Sequence, residues 1–130
     1  MDTSQYMSMF LEESMDNLQT LNESLLQLEQ QPDDVDKLNE IFRVAHTIKG
    51  MAATMGYNTM TELTHKMESV LELYRSGQNL ITSDIISLIF KCLDRLSEIV
   101  DDIREEKYDE INIEDLTKEL TSALEGEKSI

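Results

Sequence analysis

The sequence predicts an all-α fold, an antiparallel up-down four-helix bundle with a fifth, shorter C-terminal helix. Three observations predict it. Apolar residues return every three or four positions in five separate stretches, which is the period of one helix face. No stretch alternates with the period of two that a half-buried strand requires. The chain has one Pro and four Gly in 130 residues, with eight Met and many Leu and Ile, so little in it opposes a helix. A chain of this length suits one domain around one core.

The first helix is expected over residues 4–31. Leu11, Leu18, Leu21, Leu25 and Leu28 form its stripe, with Phe10 alongside, and Glu12, Glu13, Asp16 and Glu23 fall off it. Pro32 ends it, because the residue before a proline is pushed out of the α region. Asp33 is the expected N-cap of a second helix over 34–55, with Asp36 where the helix dipole favours an acid. Leu38, Ile41, Ala45, Ile48, Ala52 and Met55 step along its core seam, and Gly56 is the natural residue beyond its C-terminus.

Asn58 is expected to cap a third helix over 58–76, with a seam of Met60, Leu63, Met67, Val70 and Tyr74 that Gly77 closes. Thr82 or Ser83 opens a fourth over 83–106, carried by Ile86, Ile89, Leu93, Leu96, Val100 and Ile103. Asn112 then caps a shorter fifth helix over 112–124, with Ile113, Leu116, Leu120 and Leu124. The domain is expected to span 1–125, and residues 126–130 read as the start of a linker to further domains. Short links between long amphipathic helices give the up-down order.

Charge and cysteine content exclude several functions. The net charge is −16, which repels a phosphate backbone and argues against nucleic acid. No run of about 20 apolar residues is present, so no membrane insertion is expected. The N-terminus lacks a signal-peptide pattern. A single cysteine, Cys92, allows no internal disulfide, as in a reducing compartment. A cytoplasmic domain is expected, monomeric in isolation. The acids are unevenly spread. Residues 41–75 set Arg43, Lys49, Lys66 and Arg75 against three acids, whereas the segments on either side are strongly acidic. This least acidic third also holds both histidines, so it reads as a patch for an anionic group or an acidic partner.

His46 is the centre of that patch. With about 100° per residue, His46 stands off the seam of Ala45 and Ile48, beside Phe42, Lys49, Gly50 and Ala53 on one stripe. A glycine in mid-helix costs roughly 1 kcal/mol relative to alanine. Gly50 therefore marks a place where space matters or where a neighbouring helix packs closely. In an antiparallel hairpin about Tyr57, His46 is eleven residues before the turn and Glu68 eleven after it, while Lys49 and His65 are each eight away. The count sets His46 opposite Glu68 and Lys49 opposite His65.

Such a set suits a nucleophilic histidine. A carboxylate on Nδ1–H fixes the tautomer and leaves Nε2 free, and a lysine one turn away can pair with an incoming anion. Exposed His, Lys and Glu are also common on any helix, so a non-catalytic adaptor bundle accounts for the same residues. A metal site is disfavoured, since no His pair at i, i+4 and no E-x-x-H on facing helices of the di-iron type is present.

The run Ala45-His46-Thr47-Ile48-Lys49-Gly50-Met51-Ala52-Ala53-Thr54-Met55-Gly56-Tyr57 resembles the signature of histidine-phosphotransfer (HPt) domains, H-x-x-K-G followed by small residues. From Tyr6, Phe10, Glu12 and Glu13 through Glu68, the chain is similar to the phosphotransfer domains of chemotaxis histidine kinases. The resemblance implies that His46 is the phosphoacceptor, that Glu68 orients its imidazole, that Lys49 meets the phosphoryl charge and that His65 belongs to the network. It implies a phosphoryl source in ATP on a separate kinase domain of the same protein. It implies acceptors in receiver-domain response regulators, CheY-like or CheB-like. Phe42, Arg43, Gly50, Ala53 and Lys66 are the residues expected to meet those partners, with Arg43, Lys49 and Lys66 steering an acidic receiver pocket. No glycine-rich phosphate loop is present, so no cofactor is expected in this domain. ATP and magnesium belong to the partner domains, and the 130 residues alone should not autophosphorylate.

Overall fold

The computed structural model describes residues 3–107 and 111–128. Five helices follow one another: α1 Thr3–Gln30, α2 Val35–Met55, α3 Asn58–Glu72, α4 Ser83–Arg104 and α5 Glu114–Lys128. No strand occurs among the described residues. α1 packs on α2 and α4, and α3 packs on α2 and α4, so the first four helices close a ring. α5 lies on the outside, across α3 and α4.

The expected seams face the ring's interior. Leu21, Leu25 and Leu28 of α1 meet Ile41 and Ile48 of α2, Met60, Leu63 and Met67 of α3, and Ile86, Ile89 and Leu96 of α4 in one buried cluster. Each such side chain contributes about 1.5–3 kcal/mol by leaving water. α5 adds Leu116 and Leu120 to the same cluster, with Ile113 just before it, so the fifth helix is part of the core. On α1 the stripe runs through Phe10 and Ser14, both buried, and leaves Leu11 only partly covered. Ser14 thus takes a core position, and its hydroxyl has no hydrogen-bond partner among the described residues.

The helix ends differ from expectation by a residue or a turn. Asp34 rather than Asp33 caps α2, its carboxylate accepting from the Lys37 N–H at 3.0 Å. Both acids have the right chemistry, so composition could not choose between them. Gly56 ends α2 at φ 80°, the left-handed conformation that glycine adopts without cost. Tyr57, not Asn58, holds the N-cap position of α3 and makes no side-chain cap. Its ring is buried against Phe10, with centroids 5.3 Å apart. α3 ends at Glu72 rather than 76, and the chain continues in turns to Gly77 at φ 78°. Thr82 caps α4 through the Ile85 N–H, and Asn112 accepts from the Glu114 N–H. α5 runs on through Gly126, beyond the expected end at 124.

Candidate functional site

α2 buries Ala45 and Ile48 and turns His46 outward, leaving its side chain 65% exposed. α3 does the opposite with Glu68, whose side chain is 8% exposed between the two helices. The Glu68 carboxylate meets His46 Nδ1 at 3.2 Å through Oε1 and at 3.4 Å through Oε2. Lys49 Nζ donates to Oε2 at 3.1 Å. A buried carboxylate is costly unless paired and hydrogen-bonded, and here both oxygens have partners. A carboxylate can only accept, so Nδ1 carries a proton, and in the neutral ring the Nε2 lone pair is left over. The arrangement offers one fixed, exposed imidazole with a nucleophilic nitrogen facing away from its anchor.

The pairing of His46 with Glu68 is the one that counting from Tyr57 predicts. The second expected pair does not form, because Lys49 reaches Glu68 instead. His65 is exposed, and its imidazole makes no hydrogen bond among the described residues. Lys66 is also placed differently from expectation. It lies about 200° around α3 from Glu68, and its Nζ donates to Thr121 Oγ1 of α5 at 3.4 Å. It therefore points away from α2 and is not part of the surface around His46. Phe42 is half-buried, with the Arg75 guanidinium carbon 4.2 Å from its ring centroid. Arg43, Gly50 and Ala53 are exposed. A Cβ built on Gly50 meets nothing within 4 Å, so no neighbouring helix explains that glycine, and the space beside it is open.

Two features escape a reading of the sequence. An open, largely apolar groove of about 460 Å³ runs between α1 and α2 beside Gly50, lined by Tyr6, Met9, Phe10, Met51 and Thr54 among others. Tyr6 and Met9 are 53% and 48% exposed; their signal is two apolar residues off the α1 stripe. The other feature is Arg75, whose contacts link α3 to α2. Among the described residues no group of three or more His, Cys, Asp and Glu side chains could hold a metal ion. No described helix is long and apolar enough to cross a membrane.

Known proteins share this arrangement of helices. The chemotaxis protein CheA of Bacillus subtilis is 48% identical over 103 residues, which cover 79% of this chain and 15% of that protein. The chain thus spans a small part of the curated relative's length. The solution structure of the histidine phosphotransfer domain of CheA matches with a TM-score of 0.84 at 39% identity, over 93% of this chain and 92% of that one. The phosphorylated P1 domain of CheA3 from R. sphaeroides, solved in complex with CheY6, shares the fold, with a TM-score of 0.86 at 19% identity over 94% and 97% of the two chains. The sequence model of the Hpt domain matches residues 5–106, a span that takes in nearly all of α1 and the whole of α2, α3 and α4, and the chain belongs to the Hpt domain family.

Proposed function

We propose that His46 is a phosphoryl carrier between a kinase domain of the same protein and an aspartate of a CheY-like or CheB-like response regulator. The observation that carries this is the Glu68 carboxylate on Nδ1, which leaves Nε2 free on an exposed ring. The Nε2 lone pair attacks the γ-phosphorus of ATP as the bond to the ADP oxygen breaks and ADP departs. The Nδ1 proton stays on the ring, shared with Glu68, and supports the positive charge that the imidazole gains. In the second step an aspartate oxygen attacks phosphorus, the N–P bond breaks and its electron pair returns to Nε2.

Both steps need positioning and charge more than covalent chemistry. Lys49 lies one turn from His46 and can turn from Glu68 to the phosphoryl oxygens. ATP and magnesium come with the partner domains, and the domain alone does not autophosphorylate. The exposed surface of Arg43, Gly50 and Ala53, with the α1–α2 groove beside it, is where a receiver would settle. That CheA3 P1 is solved with CheY6 supports a receiver as the partner. His65, one turn before Glu68 on the exposed side of α3, lies in the area a docking domain would cover and takes no part in holding the imidazole. The domain works as a monomer in the cytoplasm, where ATP and receiver proteins are found.

The test is phosphate incorporation from ATP-magnesium by a CheA kinase core that lacks its own phosphotransfer domain. Acid-labile, alkali-stable label that disappears in His46→Gln is expected. An unlabelled wild type, with the same kinase core active on another Hpt domain, would overturn the proposal in favour of an adaptor bundle.

A further inference from the structure

The α2–α3 hairpin is closed covalently at only one end. There the Gly56–Tyr57 turn ties the helices, with Tyr57 N–H donating to the Ala52 carbonyl at 2.9 Å. At the other end α3 stops at Glu72, a single turn past Glu68, and gives way to tight turns in which Leu73, Tyr74 and Arg75 donate to carbonyls three residues back. Such three-residue bonds satisfy the carbonyls of Val70, Leu71 and Glu72, but with poorer geometry than the α-helical ladder. A carboxylate one turn from such an end is poorly placed to hold an imidazole to within a few tenths of an ångström.

Arg75 crosses this open end. Its Nε donates to Asn39 Oδ1 of α2 at 3.0 Å, and its guanidinium lies over the Phe42 ring of α2 at 4.2 Å. Its Nη1 donates to Glu72 Oε2 of α3 at 2.9 Å. Phe42 is one turn before His46 and Glu72 one turn after Glu68, so the clamp sits one layer below the catalytic pair. The planar guanidinium serves all three contacts at once, which an ammonium cannot. The contact of His46 with Glu68, at 3.2 Å, has little slack before it ceases to be a hydrogen bond.

We propose that Arg75 is a positioning residue for His46, clamping the open end of the α2–α3 hairpin so that Glu68 stays in register with the imidazole. The rate consequence rests on the phosphotransfer function proposed above; the geometric consequence does not. The readouts are therefore two, the tautomer of His46 by nitrogen-15 NMR and its rate of phosphorylation by the kinase core. Wild-type protein is expected to show the Nδ1–H tautomer. In Arg75→Ala the population shifts towards the Nε2–H form that free histidine favours, and the rate falls roughly threefold to tenfold, as for loss of one exposed clamp. Arg75→Lys, which keeps a cation over Phe42 and loses the fork, falls between the two.

Arg75→Ala that loses stability while the tautomer ratio and the rate hold would make the contact structural only and overturn the proposal. A shifted tautomer in Arg75→Ala, alongside an unlabelled wild type, would uphold the clamp and overturn the phosphotransfer function. Should Arg75→Ala fail to fold, Asn39→Ala removes one anchor and leaves Arg75 over Phe42. The tautomer shift is expected there too, and its absence would count against the clamp.

Discussion

Glu68→Gln exchanges one carboxylate oxygen for an amino group at nearly constant volume, and the site has no place for the added donor. Oε1 faces His46 Nδ1 at 3.2 Å and Oε2 faces Lys49 Nζ at 3.1 Å. A carboxylate accepts on both sides, whereas an amide accepts on one and donates on the other. Lys49 can only donate, so the amide oxygen turns to Lys49 and the amino group to Nδ1. Nδ1 must then accept, and the proton moves to Nε2, the nitrogen required as nucleophile. The opposite orientation sets the amino group against an ammonium. Either way one hydrogen bond to a charged group is lost, worth about 1.5–3 kcal/mol. At about 1.4 kcal/mol for each factor of ten, phosphorylation of His46 slows roughly tenfold to a hundredfold. The assay is label incorporation from the kinase core, with the imidazole tautomer read by nitrogen-15 NMR and the fold by circular dichroism. A folded Glu68→Gln that keeps the Nδ1–H tautomer and the wild-type rate would refute this reasoning.

Other expectations rest on single positions. Gly50 is exposed with open space at its Cβ, so Gly50→Ala is expected to stabilise the domain by about 0.5–1 kcal/mol in urea while slowing transfer to the receiver; unchanged transfer would show that no partner reaches it. Leu120 of α5 is fully buried, and Leu120→Ala is expected to cost about 2–4 kcal/mol, whereas a loss under about 1 kcal/mol would detach α5 from the cooperative core. Burial pushes the Cys92 thiol up to about 12, above its unfolded value of about 8.5. Its contribution is whole below the unfolded value and declines as pH rises towards the folded one. Wild-type stability should therefore fall more steeply above pH ~9 than that of Cys92→Ala; parallel curves would contradict the assignment. Arg43→Glu is expected to slow transfer and flatten its salt dependence, and Lys66→Glu to leave both alone, since Lys66 faces α5; the reverse pattern would restore Lys66 to the docking face.

Position along a helix axis is countable from a sequence, and rotation about the axis is not. Equal distances from Tyr57 place His46 and Glu68 at one height, and the pair forms. The same count places Lys49 level with His65, yet rotation buries Glu68 and turns His65 outward, and the long Lys49 stem takes the buried carboxylate. The core seams of α2, α3 and α4 are legible because they repeat over several turns, so an error at one position is outvoted. α1 shows the limit: Leu11 looks like core and Ser14 does not, yet Ser14 is the buried one. Tyr57 is legible as a pivot but not as a core residue, because its burial depends on Phe10, forty-seven positions away.

The charge pattern shows a further limit. The least acidic third of the chain looks like a basic patch awaiting an anionic partner, but three of its four cations are engaged within the fold. Lys49 neutralises Glu68, Lys66 reaches α5, and Arg75 binds Asn39, Phe42 and Glu72. Arg43 alone keeps a guanidinium with no hydrogen bond or ion pair among the described residues. Two of the four, Lys49 and Arg75, serve the pair of helices that holds His46 and Glu68. A buried glutamate needs a counter-charge, and a short helix ending beside it needs a clamp. Local net charge along a sequence therefore reports the electrostatic needs of the site before it reports the charge of any partner, and the two separate only when each side chain's own acceptor is known.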